Sequence, residues 1–265
     1  MINVAIIQNK VYEKKEDTFK HITTMLTDLK DEIDMIVFPE MFSTPYQYDY
    51  FRRYAEKTHG VSYRFLKEVA IKHNAVVVGG SVPERSNGYI YNTSWVFDSK
   101  GKQIAHYRKK HLFAVEYPDG TVFNEGDVLT AGQQDVVFDT SLGKMGLMIC
   151  FDVRFPSFAE RLTDSGATFL LVPAAFNTYT GPMHWHVTMR ARAIDNQVFL
   201  MAASPARDSY GSYEPYGHSL IVDPLGNIIS EAKEQPEVIQ ATIDPAFIHE
   251  ARRILPIYDL RHSND

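Results

Sequence analysis

Short apolar runs recur along the whole chain, and no other feature narrows the fold so far. They read "NVAIIQ" (3–8), "DMIVFPE" (34–40), "AVVVGGSV" (75–82), "YNTSWVFD" (91–98), "KQIAHYRK" (102–109), "DVVFDT" (135–140), "MGLMIC" (145–150), "TFLLVPAAF" (168–176), "QVFLMAAS" (197–204), "GHSLIVDP" (217–224) and "VIQATID" (238–244). Several are continuous aliphatic stretches, the pattern of strands covered on both faces; others alternate, as a strand with one polar face does. Amphipathic stretches lie between some of them, at 14–32, 62–74, 155–166 and 184–197. In the first, Phe19, Ile22, Met25 and Leu29 follow helical spacing. "DSKGK" (98–102) and "DPLGN" (223–227) are turn signals dividing hairpin-like strand pairs. About eleven strands are many for one open sheet, so the expected architecture is α/β, with two mixed sheets packed face to face and helices outside. No Gly/Ser linker, repeat or low-complexity tract interrupts the pattern, and 1–265 reads as one domain.

The totals exclude several function classes. A formal charge of -6 argues against a general affinity for nucleic acid or anionic membranes. No apolar run approaches the roughly 18 residues that a spanning helix needs. The opening "MINVAIIQNK" reads as a first strand rather than a signal peptide. A single cysteine forms no internal disulfide, which fits a reducing, cytoplasmic setting.

Three apolar runs deliver a reactive side chain at or near their ends: Glu40 in "MIVFPEMF", Lys109 or Lys110 in "YRKKHLF", and Cys150 in "MICFDVRF". The carboxyl ends of strands are where sites form in open α/β sheets. Their chemistry is complementary. A thiol is only slightly ionised at neutral pH and needs a base or a cationic neighbour to act as nucleophile. Glu40, partly desolvated beside the sulfur, takes that proton and later passes it to a leaving amine. A lysine, helped by the backbone N–H of Phe151, supplies positive charge where an oxyanion develops. Alone, each has a bland reading, as an inert core thiol, a loop acid and a wet basic run. The conjunction is what points to hydrolysis.

"FPEMF", "YRKKHLF" and "CFDVRFP", in that order, resemble the three signature segments of the nitrilase (carbon–nitrogen hydrolase) superfamily, over about Val4 to Tyr258. The resemblance implies a four-layer αββα sandwich and a Glu–Lys–Cys triad of Glu40, Lys109 and Cys150; the family lysine precedes "x-H-L-F", which selects Lys109. It also matches a second, site-orienting glutamate to Glu125 in "FNEGDVLTAG". Further segments, "MFSTPYQYDYFRRYAE", "PAAFNTYTGPMHWHVTMRARAIDNQVF", "ASPARD" and "YGHSLIVDPLGN", resemble the ω-amidase branch, whose members deamidate 2-oxoglutaramate and 2-oxosuccinamate through a cysteine thioester. A sister branch acting on deaminated glutathione, or another carbon–nitrogen hydrolase of the same superfamily, is the alternative, and a non-catalytic ligand-binding protein on the same scaffold a distant one. The small-molecule amide ends in a 2-oxo acid that needs a cation or several donors; Arg207 is the expected cation, with Tyr46, Asn177 and Thr178 as neutral donors. Asp152 and Arg154 are expected to pair with each other and hold the turn at the nucleophile. The family pairs through its sandwich face, so a homodimer is expected. Neither a cofactor nor a metal is expected: in "HWH" (184–186), residues spaced i, i+2 on a helix face different ways, even with His218 elsewhere to join them.

Overall fold

The computed structural model describes residues 1–29 and 32–263. Along the chain, β1 (Ile2–Gln8), β2 (Met35–Val37), β3 (Val76–Val78), β4 (Val82–Ser86), β5 (Tyr89–Phe97) and β6 (Gln103–Arg108) come first. A small hairpin of β7 (Ala114–Glu116) and β8 (Val122–Asn124) follows. Then come β9 (Val137–Thr140), β10 (Gly143–Leu147), β11 (Phe169–Pro173), β12 (Phe199–Ala203), β13 (Leu220–Val222), β14 (Ile228–Glu231) and β15 (Glu237–Ile243). The seven-stranded sheet runs β15-β1-β2-β3-β5-β4, with β6 also paired to β5; the six-stranded sheet runs β14-β13-β12-β11-β10-β9. Each mixes parallel and antiparallel neighbours, as βαβ units combined with hairpins require.

Side-chain alternation along the central strands generates the layers. Val4 and Ile6 of β1 join Met35, Val37, Leu147, Leu171 and Met201 in the core between the sheets. Ala5 and Ile7 point the other way, into a core shared with Ile22, Leu66 and Val69 of the covering helices. Those helices are α1 (Lys15–Met25) and, beyond a short α2 (Tyr48–Tyr54), α3 (Val61–His73). On the far side α4 (Pro156–Asp164) and α5 (Gly181–Asn196) bring Phe158, Leu162, Trp185 and Met189 against the second sheet. The result is the expected αββα sandwich, closed by α6 (Phe247–Ile254) and α7 (Ile257–His262). Each fully buried large apolar side chain contributes about 1.5–3 kcal/mol.

Both turn signals form hairpins, β5–β6 and β13–β14. The expected helix at 14–32 is shorter: α1 ends at Met25, a 3-10 turn covers Leu26–Asp28, and residues 30 and 31 lie outside the described residues. Four strands escaped the apolar pattern. One of them, β4, contains "VPERS", a proline and charges that suit an edge strand.

Glu84 of β4 anchors that edge. Its Oε2 accepts hydrogen bonds from Arg108 Nε (2.8 Å) and Thr93 Oγ1 (2.9 Å) and lies 3.2 Å from His106 Nε2. Burial pushes the carboxyl up, but His106, Arg108 and Thr93 outweigh it and hold it at about 2, against an ordinary 4.5. A depressed carboxyl stabilises the fold above its unfolded-state pKa and loses that contribution as pH falls through the folded value. Glu84→Gln is therefore expected to lower stability at neutral pH by on the order of 1–2 kcal/mol, part of the cluster being screened by solvent. It should also flatten the loss of stability between pH 4.5 and 2, followed by denaturant titration at each pH. Identical pH slopes for the two proteins would exclude this anchor.

Candidate active site

Glu40 reaches the interior through a turn that begins just beyond β2. Pro39 O accepts the N–H of Ser81 (3.1 Å), Ser81 Oγ accepts the N–H of Met41 (3.0 Å), and Met41 adopts a left-handed φ of 50°. Gly80 makes this approach possible: its φ is +55°, and a Cβ there would lie 2.1 Å from Pro39 O. Glu40 is thereby fully buried.

Lys109 follows β6 directly. Its N–H donates to Asn92 O, and its carbonyl accepts from Gly132 N–H, both at 2.8 Å. Adjacent residues on an extended chain face opposite ways. Lys110 accordingly turns outward to Asp135 (2.6 Å), while Lys109 points in and is fully buried. Lys109 Nζ lies 2.8 Å from Glu40 Oε1 and 2.9 Å from Glu125 Oε2. Glu125 is fixed in turn by Phe113 N–H (2.7 Å to Oε2) and Tyr46 O–H (2.6 Å to Oε1). Asn92 Nδ2 donates to Glu40 Oε1 at 2.8 Å, so one carboxylate oxygen is clamped from two sides.

Cys150 opens a 3-10 turn over Cys150–Arg154 with a φ of 48°, a conformation that costs a non-glycine residue about 1–3 kcal/mol. Asp152 holds it there. Its Oδ2 accepts from Ile149 N–H (2.9 Å) and Tyr107 O–H (2.6 Å), and its Oδ1 from His111 N–H (2.9 Å), with His111 Nδ1 at 2.7 Å. The sulfur lies against the Glu40 carboxylate, within the field of Lys109 and beside the backbone of Ala175.

The electrostatics follow from this enclosure. Burial raises the Glu40 carboxyl, and Lys109 only partly offsets it. Burial would lower the Lys109 ammonium, yet Glu125 and Glu40 more than compensate, and it stays protonated. The Cys150 thiol is pushed well up by burial and by Glu40, against the opposing pull of Lys109. The resting site is a neutral thiol beside a carboxyl with raised proton affinity and a fixed cation.

Two small cavities of about 10 Å³ each flank this group. One is lined by Glu40, Met41, Tyr46, Ala175 and Tyr213, the other by Phe113, Cys150, Phe151, Arg154, Thr180 and Tyr213. Tyr213 borders both; its ring stacks on Tyr46 (4.3 Å between centroids) and its hydroxyl donates to Ala175 O.

The structure thus brings Glu40, Lys109, Cys150, Glu125, Phe151 and Tyr46 together. The other three expected residues are engaged elsewhere. Arg207 Nη1 pairs with Glu234 (2.9 Å), its Nη2 donates to Tyr216 O (3.1 Å), and it lines neither cavity. Thr178 Oγ1 donates to Glu214 (3.0 Å). Asn177 donates to Tyr117 O–H (2.5 Å), and its Oδ1 accepts the Thr180 N–H (2.8 Å) at the start of α5. The expected Asp152–Arg154 pair does not form, because the Asp152 oxygens are taken up by Ile149, Tyr107 and His111. Arg154 instead faces the cavity, stacked on Phe176 (4.4 Å) and bonded to His184 Nδ1 (3.1 Å). Asn92, Arg154, Thr180 and Tyr213 were missed as site residues; for Asn92 the signal was a polar "NTS" inside an otherwise apolar strand.

The chain belongs to the carbon–nitrogen hydrolase family, whose model matches residues 3–253. It is 41% identical to omega-amidase NIT3 of Saccharomyces cerevisiae, over 97% of this chain and 91% of that one. It is 37% identical to omega-amidase NIT2 of Danio rerio, covering 98% and 95%. The crystal structure of Saccharomyces cerevisiae Nit3, described as a member of branch 10 of the nitrilase superfamily, superposes with a TM-score of 0.89 at 38% identity, covering 98% and 96%.

The opposing influences on Cys150 give a test with two signs. Removing the Glu40 charge in Glu40→Gln is expected to lower the thiol pKa, and removing the Lys109 charge in Lys109→Met to raise it. The pH dependence of alkylation by iodoacetamide reads both, because the chain has one cysteine. Shifts in the same direction would contradict this arrangement.

Proposed function

We propose that this chain is an ω-amidase, hydrolysing the terminal amide of 2-oxoglutaramate and 2-oxosuccinamate to the 2-oxo dicarboxylate and ammonia. The observation that carries the chemistry is the buried Cys150 beside a Glu40 carboxylate that shares Lys109 with Glu125. The names of the relatives, together with 37–41% identity over nearly the whole chain, support the substrate class.

In this reading Glu40 takes the thiol proton as Cys150 Sγ attacks the amide carbon. Lys109 and the Phe151 N–H stabilise the tetrahedral anion. Glu40 then protonates the departing nitrogen, and ammonia leaves a thioester. A water, deprotonated by Glu40, attacks the thioester carbonyl and releases the carboxylic acid and the thiol. Glu125 orients Lys109 and takes no proton in the cycle.

For the distal carboxylate the reading favours Arg154 over Arg207. Arg154 lies in the cavity wall with Cys150 and Thr180, its pKa is lowered first by burial, and among the described residues no carboxylate is in ion-pair contact with it. A desolvated cation without an acidic partner is suited to an incoming carboxylate. A dicarboxylate monoamide does not fit cavities of about 10 Å³, so substrate entry displaces Tyr213, which divides them. We read the chain as one catalytic domain acting in the cytoplasm as a homodimer. The family model's coverage of residues 3–253 supports the first point. No helix among the described residues is long and apolar enough to cross a membrane. Exposed Met183, Val187, Ile254 and Leu255 support a paired face, which light scattering tests.

Ammonia release from 2-oxoglutaramate is expected, and its loss in Cys150→Ala. Preference for deaminated glutathione or a nitrile would overturn the substrate; no release from any amide would overturn the reaction. Arg154→Gln is expected to raise KM for 2-oxoglutaramate by about 10–100-fold with a smaller change in kcat, and to leave a neutral amide's KM nearly unchanged. Since a protonated Glu40 cannot accept the thiol proton, kcat/KM should rise with pH along an acid limb centred above the ordinary carboxyl value of 4.5. An acid limb at or below that value would remove Glu40 from the role of base.

A further inference from the structure

Away from the cavities, His186 of α5, Glu231 of β14 and His218, just before β13, converge on one point. His186 Nε2 lies 2.7 Å and His218 Nδ1 3.1 Å from the same oxygen, Glu231 Oε1. All three donor atoms lie within 4.8 Å of one another. We infer that these three side chains form a binding site for one divalent transition-metal ion, zinc being the ion their donor set fits best.

The chemistry of the donors supports this. Two imidazoles and one carboxylate make up a common three-ligand zinc set, leaving a fourth position for water. Tetrahedral zinc with bonds near 2.1 Å separates neighbouring ligand atoms by about 3.4 Å, so the histidine–Glu231 separations of 2.7 and 3.1 Å have to open by roughly 0.7 and 0.3 Å to admit the ion. A simple hydrogen bond to Glu231 needs one histidine; here two aim at one oxygen. The three are partly exposed, with side chains 34%, 20% and 31% accessible, which leaves a path for a hydrated ion.

The frame behind the ligands is rigid. His218 holds a left-handed φ of 59°. Its N–H donates to Lys233 O (2.9 Å), and its carbonyl accepts the indole N–H of Trp185 (2.7 Å), the residue next to His186. Tyr216 stacks on the His218 ring at 4.4 Å and fixes its plane. The sequence argument against "HWH" holds for its own pair: His184 turns to Arg154 while His186 turns to the cluster. The partners come instead from the β13–β14 hairpin and its approach, so the ion staples α5 to that hairpin and lies outside the cavities beside Cys150.

The test uses the full chain without an affinity tag, stripped by a chelator and dialysed. Calorimetric titration with zinc chloride is expected to give one ion per chain, and cobalt to give the visible absorption of a tetrahedral site. Zinc should raise the thermal midpoint by about 3 °C or more. His186→Gln and His218→Ala are each expected to weaken zinc binding by at least about 10-fold and to abolish the thermal shift, while His184→Ala leaves both intact. If His218→Ala does not fold, the surface substitution His186→Gln decides alone. No stoichiometric uptake, or uptake unchanged in His186→Gln, would overturn the site.

Discussion

An ammonium group sealed from water costs several kcal/mol unless opposite charge meets it at contact distance. Lys109 is such a group, and the surroundings of Cys150 follow from satisfying it. Two carboxylates, one just past β2 and one just past β8, have to arrive at the end of β6. Burial is the first cause of the raised proton affinity of Glu40 and the raised pKa of the thiol; Lys109 opposes both shifts, and the neighbouring carboxylates add to them. A site arranged in this way keeps its sulfur protonated at rest. On the proposed mechanism the fixed cation is then already in position for negative charge that appears only during attack, where stabilising it accelerates the reaction.

Asp152 plays the corresponding part for the backbone. Cys150 stays in a left-handed conformation only because the turn after it is over-determined, and Asp152 supplies most of the determination with bonds to Ile149, Tyr107 and His111. Using both oxygens this way leaves Asp152 nothing for Arg154. Arg154 instead faces the cavity between the Phe176 and Phe151 rings and beside His184. One carboxylate thus fixes the backbone geometry at Cys150 and, by what it does not bind, leaves the nearby Arg154 facing the cavity.

What was legible in the sequence was whatever alternation and strand ends encode. The paired sheets and the major helices follow from the apolar runs, which also end in Glu40, a lysine pair and Cys150; that Glu40, Lys109 and Cys150 form one group was what the resemblance to the nitrilase superfamily implied. The polar edge strand β4 and the short β7, β8 and β14 were not legible, because their stability comes from pairing and not from their own apolar content. The proposed role of Arg154 was missed for a related reason. Whether an arginine is free or consumed depends on acids distant in sequence: Glu234 pairs with Arg207, whereas among the described residues no carboxylate pairs with Arg154. The tight approach at Gly80 and Pro39 was equally invisible, since the sequence does not reveal which backbone segments touch.

The segment carrying Tyr213 shows how a closed cavity stays compatible with turnover. Upstream it is tied down by Tyr210 N–H to Val11 O (2.7 Å) and Arg207 N–H to Glu234 O (2.8 Å). Downstream, Tyr216 N–H donates to Phe176 O (2.6 Å) and His218 N–H to Lys233 O (2.9 Å). Between these anchors are Gly211, with a φ of 120°, and Ser212, held mainly by an exposed bond to Gln47. Glu214 is held as well, its O accepting Thr178 N–H (3.1 Å), which leaves the short stretch 211–213, with Tyr213 lining both cavities, between the anchors. In the proposed function, displacing Tyr213 sacrifices stacking on Tyr46 and one bond to Ala175 O, a cost of a few kcal/mol that contacts of the amide with Arg154 and the oxyanion donors would offset. On that reading a ligand lacking the distal carboxylate gains less from the same displacement, and the closed aromatic wall favours acids with two charged or polar ends.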